Sequence, residues 1–275
     1  MKKIILALDK THFSEGAFEF ARRLNEISPI LLTGVFLPQP EYNSLWSYAW
    51  GGVNPLVVPL AEENESEIEQ KNISHFEKLC QGNGIDYRVH KDFFDSAIME
   101  LEKESCYADL MILSSQKFYS DININISPND YLQSALHFSK CPVLLIPEKF
   151  IFPESTLLAY DGTEDSVFAI KQFAYLLPQL TTKPALLVYA SEDEQKDFPD
   201  KIQIEELAAR HFSDLTLLKL DINPKKYFAT WMAEQSSAIL ISGSYGRSGL
   251  SQLFKRSFIK KIIEDHQLPI FIAHK

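Results

Sequence analysis

The chain is poor in the residues and runs that mark several protein classes. Only three of its 275 residues are cysteine, and Cys80, Cys106 and Cys141 lie far apart with no C-x-x-C pair. That excludes a disulfide framework or a cysteine zinc site and fits a reducing compartment. No stretch approaches the roughly 18 apolar residues of a membrane span. The opening run Ile4-Ile5-Leu6-Ala7-Leu8 stops at Asp9, too short and too soon charged for a signal peptide. The expectation is a cytoplasmic protein that meets no membrane. No run of five like charges occurs, and the net charge is −10, which argues against a nucleic-acid-binding face. Lys255, Arg256, Lys260 and Lys261 form one local basic group, read first as an exposed helix face. The seven histidines show no metal spacing. There is no G-x-S-x-G elbow and no G-x-x-x-x-G-K-[ST] loop. No base-plus-nucleophile pair stands out, so no catalytic residue is assigned, although weak nucleotide hydrolysis stays open.

The chain does contain a repeat. Ile5-Leu6-Ala7-Leu8-Asp9, followed by Thr11, Ser14 and Ala17, matches Leu157-Leu158-Ala159-Tyr160-Asp161, followed by Thr163, Ser166 and Ala169. In each copy a short apolar run stops at Asp and an amphipathic stretch follows. That reads as a buried parallel strand, a turn and a helix. The later parts correspond as well. Leu110–Ser115 matches Ile239–Ser244, and the segment Cys141–Pro147 corresponds to Leu268–Ala273. Second strands are expected over 30–37 and 184–190, and third strands over 85–91 and 214–221. Helices are expected over 62–82, 95–106, 201–213, 224–236 and Phe258–His266. Strands alternating with helices imply an α/β fold with a parallel sheet. The expectation is two tandem Rossmann-like domains, 1–150 and 151–275, with the boundary near Pro147–Ser155. Their final strands, Val143–Ile146 and Ile270–Ala273, are expected to pair as an internal pseudo-twofold dimer, which would cover two apolar edges. An insert over 38–61 carries Tyr42, Trp46, Tyr48 and Trp50. It reads either as a partner surface or as a loop folded back on the protein.

Ligands of open parallel sheets bind outside the carboxyl ends of the strands, where strand order reverses. Asp9, Asp161, Ser114 and Gly243 fall at such ends. Gly243-Ser244-Tyr245-Gly246 follows an apolar strand and precedes an expected helix, a setting in which backbone N–H groups cradle an anion. On these residues the whole chain resembles the universal stress protein family in its tandem two-domain form, an adenine nucleotide α-hydrolase-like fold. The family's nucleotide-binding pattern is G-x2-G-x9-G-[ST]. Gly243 and Gly246 match its first two glycines, Arg256 stands where the third glycine is expected, and Ser257 matches the hydroxyl. The resemblance implies that Asp161 meets the adenine–ribose region. It places Ala159, Tyr160, Tyr189 and Ser242 near the base, and Gly243, Gly246, Ser257 and Phe258 at the ribose or phosphates. Arg256 either plugs the phosphate site or forks around phosphate oxygens, and the second is the expectation. In the first copy Ser114 and Lys117 replace the two glycines, Lys10 follows Asp9, and Asp121–Pro128 holds no glycine. That copy is expected to bind no nucleotide.

The function implied is a stress-response protein that binds ATP or another adenine nucleotide in its C-terminal half and signals through an unknown protein partner. A homodimer is compatible with it. The alternative is a nucleotide-independent interaction scaffold. An enzyme of the same fold group would show an H-x-G-H or S-G-G-x-D-S motif, and neither is present.

Overall fold

The computed structural model describes residues 1–38, 58–91, 96–119, 128–193, 195–222, 227, 230–232, 235, 237–243 and 268–274. They form two compact units. One comprises Met1–Leu113 with Lys117–Lys140, the other Ser114–Gln116 with Cys141–Lys275.

The first unit contains β1 (Lys2–Asp9), α1 (Glu15–Ile27), β2 (Ile30–Leu37), α2 (Val58–Gly82), β3 (Asp86–His90), α3 (Ala97–Ser105), β4 (Leu110–Ser114, its last residue falling to the second unit) and α4 (Pro128–Phe138). Its strands run in the order β3-β2-β1-β4, with the β1–β2, β2–β3 and β1–β4 pairings parallel. The apolar run of β1 is buried from Ile4 to Asp9, as expected of a strand covered on both faces. Ser14 caps α1 by accepting a hydrogen bond from the Ala17 N–H, and Ala17, Phe20, Ala21 and Leu24 bury one stripe of that helix. Helix α2 begins at Val58, inside the span read as an insert.

The second unit contains β5 (Val143–Ile146), β6 (Ser155–Ala159), α5 (Glu164–Leu176), β7 (Ala185–Ser191), α6 (Lys201–His211), β8 (Leu215–Asp221), β9 (Ala238–Ser242) and β10 (Ile270–Ile272). The strand order is β5-β10-β9-β6-β7-β8. All its pairings are parallel except that of β5 with β10. Strand β7 starts one residue after the expected position because Pro184 has no N–H to give. Its carbonyl still accepts from the Thr156 N–H at 2.9 Å. The insert aromatics Tyr42, Trp46, Tyr48 and Trp50 lie outside the described residues, as does the helix expected over Phe258–His266. The helix expected over 224–236 lies largely outside them.

The division between the units falls ahead of Pro147, because β5 packs with the second. Ile270, Phe271 and Ile272 face Leu145, Leu144 and Val143 in antiparallel register. The two segments occupy matching places in the repeat, so this pairing is self-complementary about the Leu144–Phe271 step. Both residues are fully buried, and Phe271 meets the edge of the Phe173 ring at 5.3 Å. Phe271→Ala is therefore expected to lower stability by about 3–5 kcal/mol, the usual loss for a buried aromatic. Urea unfolding of the full chain measures it, and a loss under about 1 kcal/mol would contradict this placement of β10.

Candidate functional site

The strand register brings six of the sequence-predicted residues to one place. Leu158 pairs with Ile241, which sets Ala159 beside Ser242. Ala159 also pairs with Val188, which sets Tyr160 beside Tyr189. Ala159, Tyr160, Asp161, Tyr189, Ser242 and Gly243 thus converge at the carboxyl ends of three neighbouring strands, β9, β6 and β7. Strand order reverses between β6 and β9, where a ligand of such a sheet is expected. Gly246, Arg256, Ser257 and Phe258 lie outside the described residues, as do Lys255, Lys260 and Lys261.

Asp161 is half-buried. Its Oδ1 accepts from the Thr163 N–H at 3.0 Å and from the Thr163 hydroxyl at 2.6 Å. Thr163 in turn caps α5, accepting from the Ser166 N–H at 3.2 Å. Among the described residues no donor reaches Asp161 Oδ2. One oxygen of the carboxylate shapes the turn, and the other accepts nothing from the described residues.

Gly243 has a tighter duty than the sequence suggested. A Cβ there would lie 2.5 Å from the backbone carbon of Asp165 and 2.5 Å from the backbone nitrogen of Ser166. The glycine lets β9 approach the first turn of α5, so its necessity is first one of strand–helix packing. Gly162 is constrained twice. Its φ is +80°, and a Cβ would meet Pro199 at 2.8 Å. Ser242 is buried and donates to the Gly243 carbonyl at 3.0 Å.

The two tyrosines are held by a segment that sequence reading passed over. The Tyr160 hydroxyl donates to the Pro199 carbonyl at 2.8 Å, and the Phe198 ring lies 5.5 Å from that of Tyr189. Burial, then the charges of Asp200 and Asp161, push the Tyr160 phenol above its ordinary value. Pro199 followed by Asp200 at the start of α6 was the available sign of a helix-entry turn. A cavity of about 430 Å³ opens between α5 and α6, lined by Tyr160, Gly162, Thr163, Phe168, Lys171 and Leu207 among others. It shares Tyr160 with the predicted set but does not include Asp161, Ser242 or Gly243.

The matching sequence around Asp9 offers a direct contrast. Ala7 pairs with Leu113, so Ser114 stands relative to Asp9 as Gly243 stands relative to Asp161. Helix α1 begins six residues after Asp9, whereas α5 begins three residues after Asp161. The later start fits a Cβ at the strand end. Ser114 uses its hydroxyl to donate to Glu148 at 2.9 Å. Lys10, in the place of Gly162, forms an ion pair with Glu69 of α2 at 3.0 Å. Lys117 is exposed. Among the described residues no group of three or more His, Cys, Asp or Glu side chains is placed to hold a metal ion, and no helix is long and apolar enough to cross a membrane.

No protein-family model matches the sequence, and comparison with curated proteins finds no match. Solved structures do match. A universal stress protein from Archaeoglobus fulgidus DSM 4304 superimposes with a TM-score of 0.71 at 18% identity, covering 98% of this chain and 96% of its own. The fold is that of a universal stress protein. A functionally unknown protein from Pseudomonas aeruginosa PAO1 is more distant, with a TM-score of 0.52 at 13% identity over 100% of this chain and 92% of its own.

Two outcomes follow from the geometry. Gly243→Ala is expected to destabilise the ligand-free protein by about 1–3 kcal/mol, since a Cβ is forced against backbone. Denaturant unfolding of the variant measures this, and wild-type stability would contradict it. Stability is also expected to fall as pH rises above about 10, where the unfolded tyrosine ionises while Tyr160 stays neutral. Tyr160→Phe should reduce that alkaline slope in pH-dependent melting, leaving the part due to the more deeply buried Tyr119, and an unchanged slope would contradict it.

Proposed function

We propose that the chain is a stress-response protein of the universal stress type that binds ATP or another adenine nucleotide in its second half. The carrying observation is the half-engaged carboxylate of Asp161 beside Gly243, at the reversal of strand order. On this reading Oδ2 of Asp161 accepts from a ribose hydroxyl. On sequence grounds Gly246, Arg256, Ser257 and Phe258 complete the site, with Arg256 on phosphate oxygens. The proposal keeps two domains, 1–150 and 151–275, joined as an internal pseudo-dimer in the cytoplasm and acting on a protein partner. The self-complementary pairing of β5 with β10 supports the pseudo-dimer. No catalytic residue is assigned.

A scaffold that binds no nucleotide is the second reading. One observation favours it: the Tyr160 hydroxyl and the Tyr189 ring, both expected at the base, are engaged by Pro199 and Phe198.

Titration calorimetry separates the two. The nucleotide reading predicts one site per chain for ATP. Asp161→Asn retains Oδ1 for the turn and turns the other oxygen into a donor. It should weaken adenosine binding by about 1.5–3 kcal/mol, the scale of a hydrogen bond to a charged group. Arg256→Gly should weaken ATP more than adenosine, by about 1–2 kcal/mol. No heat with any adenine nucleotide, or two equivalent sites, would contradict the nucleotide reading. Tighter ATP binding by Arg256→Gly would make Arg256 a plug.

A further inference from the structure

The reversal point of the first unit is filled by the protein itself. Asp9 ends β1, with its side chain fully buried. Its Oδ1 accepts from the Thr11 N–H at 2.9 Å, the Thr11 hydroxyl at 2.8 Å and the His12 N–H at 2.7 Å. The His12 Nδ1 lies 3.0 Å from the same oxygen. The other oxygen, Oδ2, accepts from the backbone N–H of Tyr119 at 2.8 Å. Tyr119 adopts φ +53°, a left-handed conformation that costs a bulky residue about 1–3 kcal/mol. Surrounding contacts hold it there. The ring is 1% exposed and packs against Phe118 and Tyr131 at 4.7 and 4.9 Å between centroids. Its hydroxyl donates to the Pro38 carbonyl at 2.6 Å, just past the end of β2.

The arrangement joins a planar aromatic group and two hydrogen bonds. One bond is given to the carboxylate at the end of β1, the other to a backbone carbonyl after the neighbouring strand. A small phenol would make the ring contacts and the bond to the Pro38 carbonyl, while the backbone N–H of residue 119 keeps its bond to Asp9. We infer that Tyr119 is a surrogate ligand: its ring and backbone N–H occupy the ligand position of the first unit, and removing the ring turns that position into a binding site for small phenols. The inference uses the first unit alone. It does not depend on nucleotide binding in the second, and failure of ATP to bind there leaves it standing.

Tyr119→Gly is the deciding variant. Glycine is at ease at φ +53°, so the ring is lost while the backbone strain is relieved. The probe is p-cresol, the tyrosine side chain as a free molecule. At ten times its Kd it should raise the melting temperature of the full-length variant by about 3 °C and leave wild type unmoved. Equal shifts in both, or none in the folded variant, would overturn the inference. A measurement on the wild-type chain holds even if the variant fails to fold. The Tyr119 amide, bonded to a buried carboxylate, should exchange with solvent as slowly as the amides of β1. Exchange at the rate of an open loop would overturn the inference equally.

Discussion

The contrast between the two sheet corners turns on how the carboxylates ending β1 and following β6 are satisfied. An ionised carboxylate buried without donors is too costly to keep, so each copy must supply them or leave the group to solvent or a ligand. The first copy supplies them all from Thr11, His12 and Tyr119. The second supplies two, both to one oxygen, and keeps Asp161 half-buried. Among the described residues, the carboxylate at this corner is therefore engaged at both oxygens in one copy and at one oxygen in the other. No change of fold is needed, because the parallel pairings around Asp9 and Asp161 are equivalent.

The neighbouring residues diverge to fit these two states. Gly243 allows α5 to begin close to β9, which brings the helix start and its Thr163 cap next to Asp161. Ser114 in the matching place goes with a later start for α1 and a longer turn, and that turn provides the Thr11 and His12 donors. Lys10 then binds Glu69 where Gly162 instead closes on Pro199.

Much of the fold was legible in the sequence, because continuous apolar runs ending at Asp or Ser are what strands buried on both faces require. The equivalence of Ser114 and Gly243, read from spacing, agrees with the sheet register. The start of α2 at Val58 was not legible, since the aromatic-rich residues ahead of it carry no helical periodicity. The pairing of β5 with β10 was legible in the two matching final apolar runs, whereas the division of the units ahead of Pro147 was not, because it depends on long-range packing. In the site, counting glycines found the difference between the copies but not its cause. That Gly243 is needed against a helix, and that Tyr119 reaches Asp9 across 110 positions, depends on tertiary closeness that local spacing does not encode. The role of Pro199 was hidden for the same reason.

The central claim is that the two aspartates differ in what they have left to offer. Carboxyl-carbon NMR of the full-length chain during an adenosine titration reads both groups at once. The account predicts that the Asp161 resonance moves to saturation while the Asp9 resonance stays fixed. Movement of Asp9, or equal movement of the two, would contradict it.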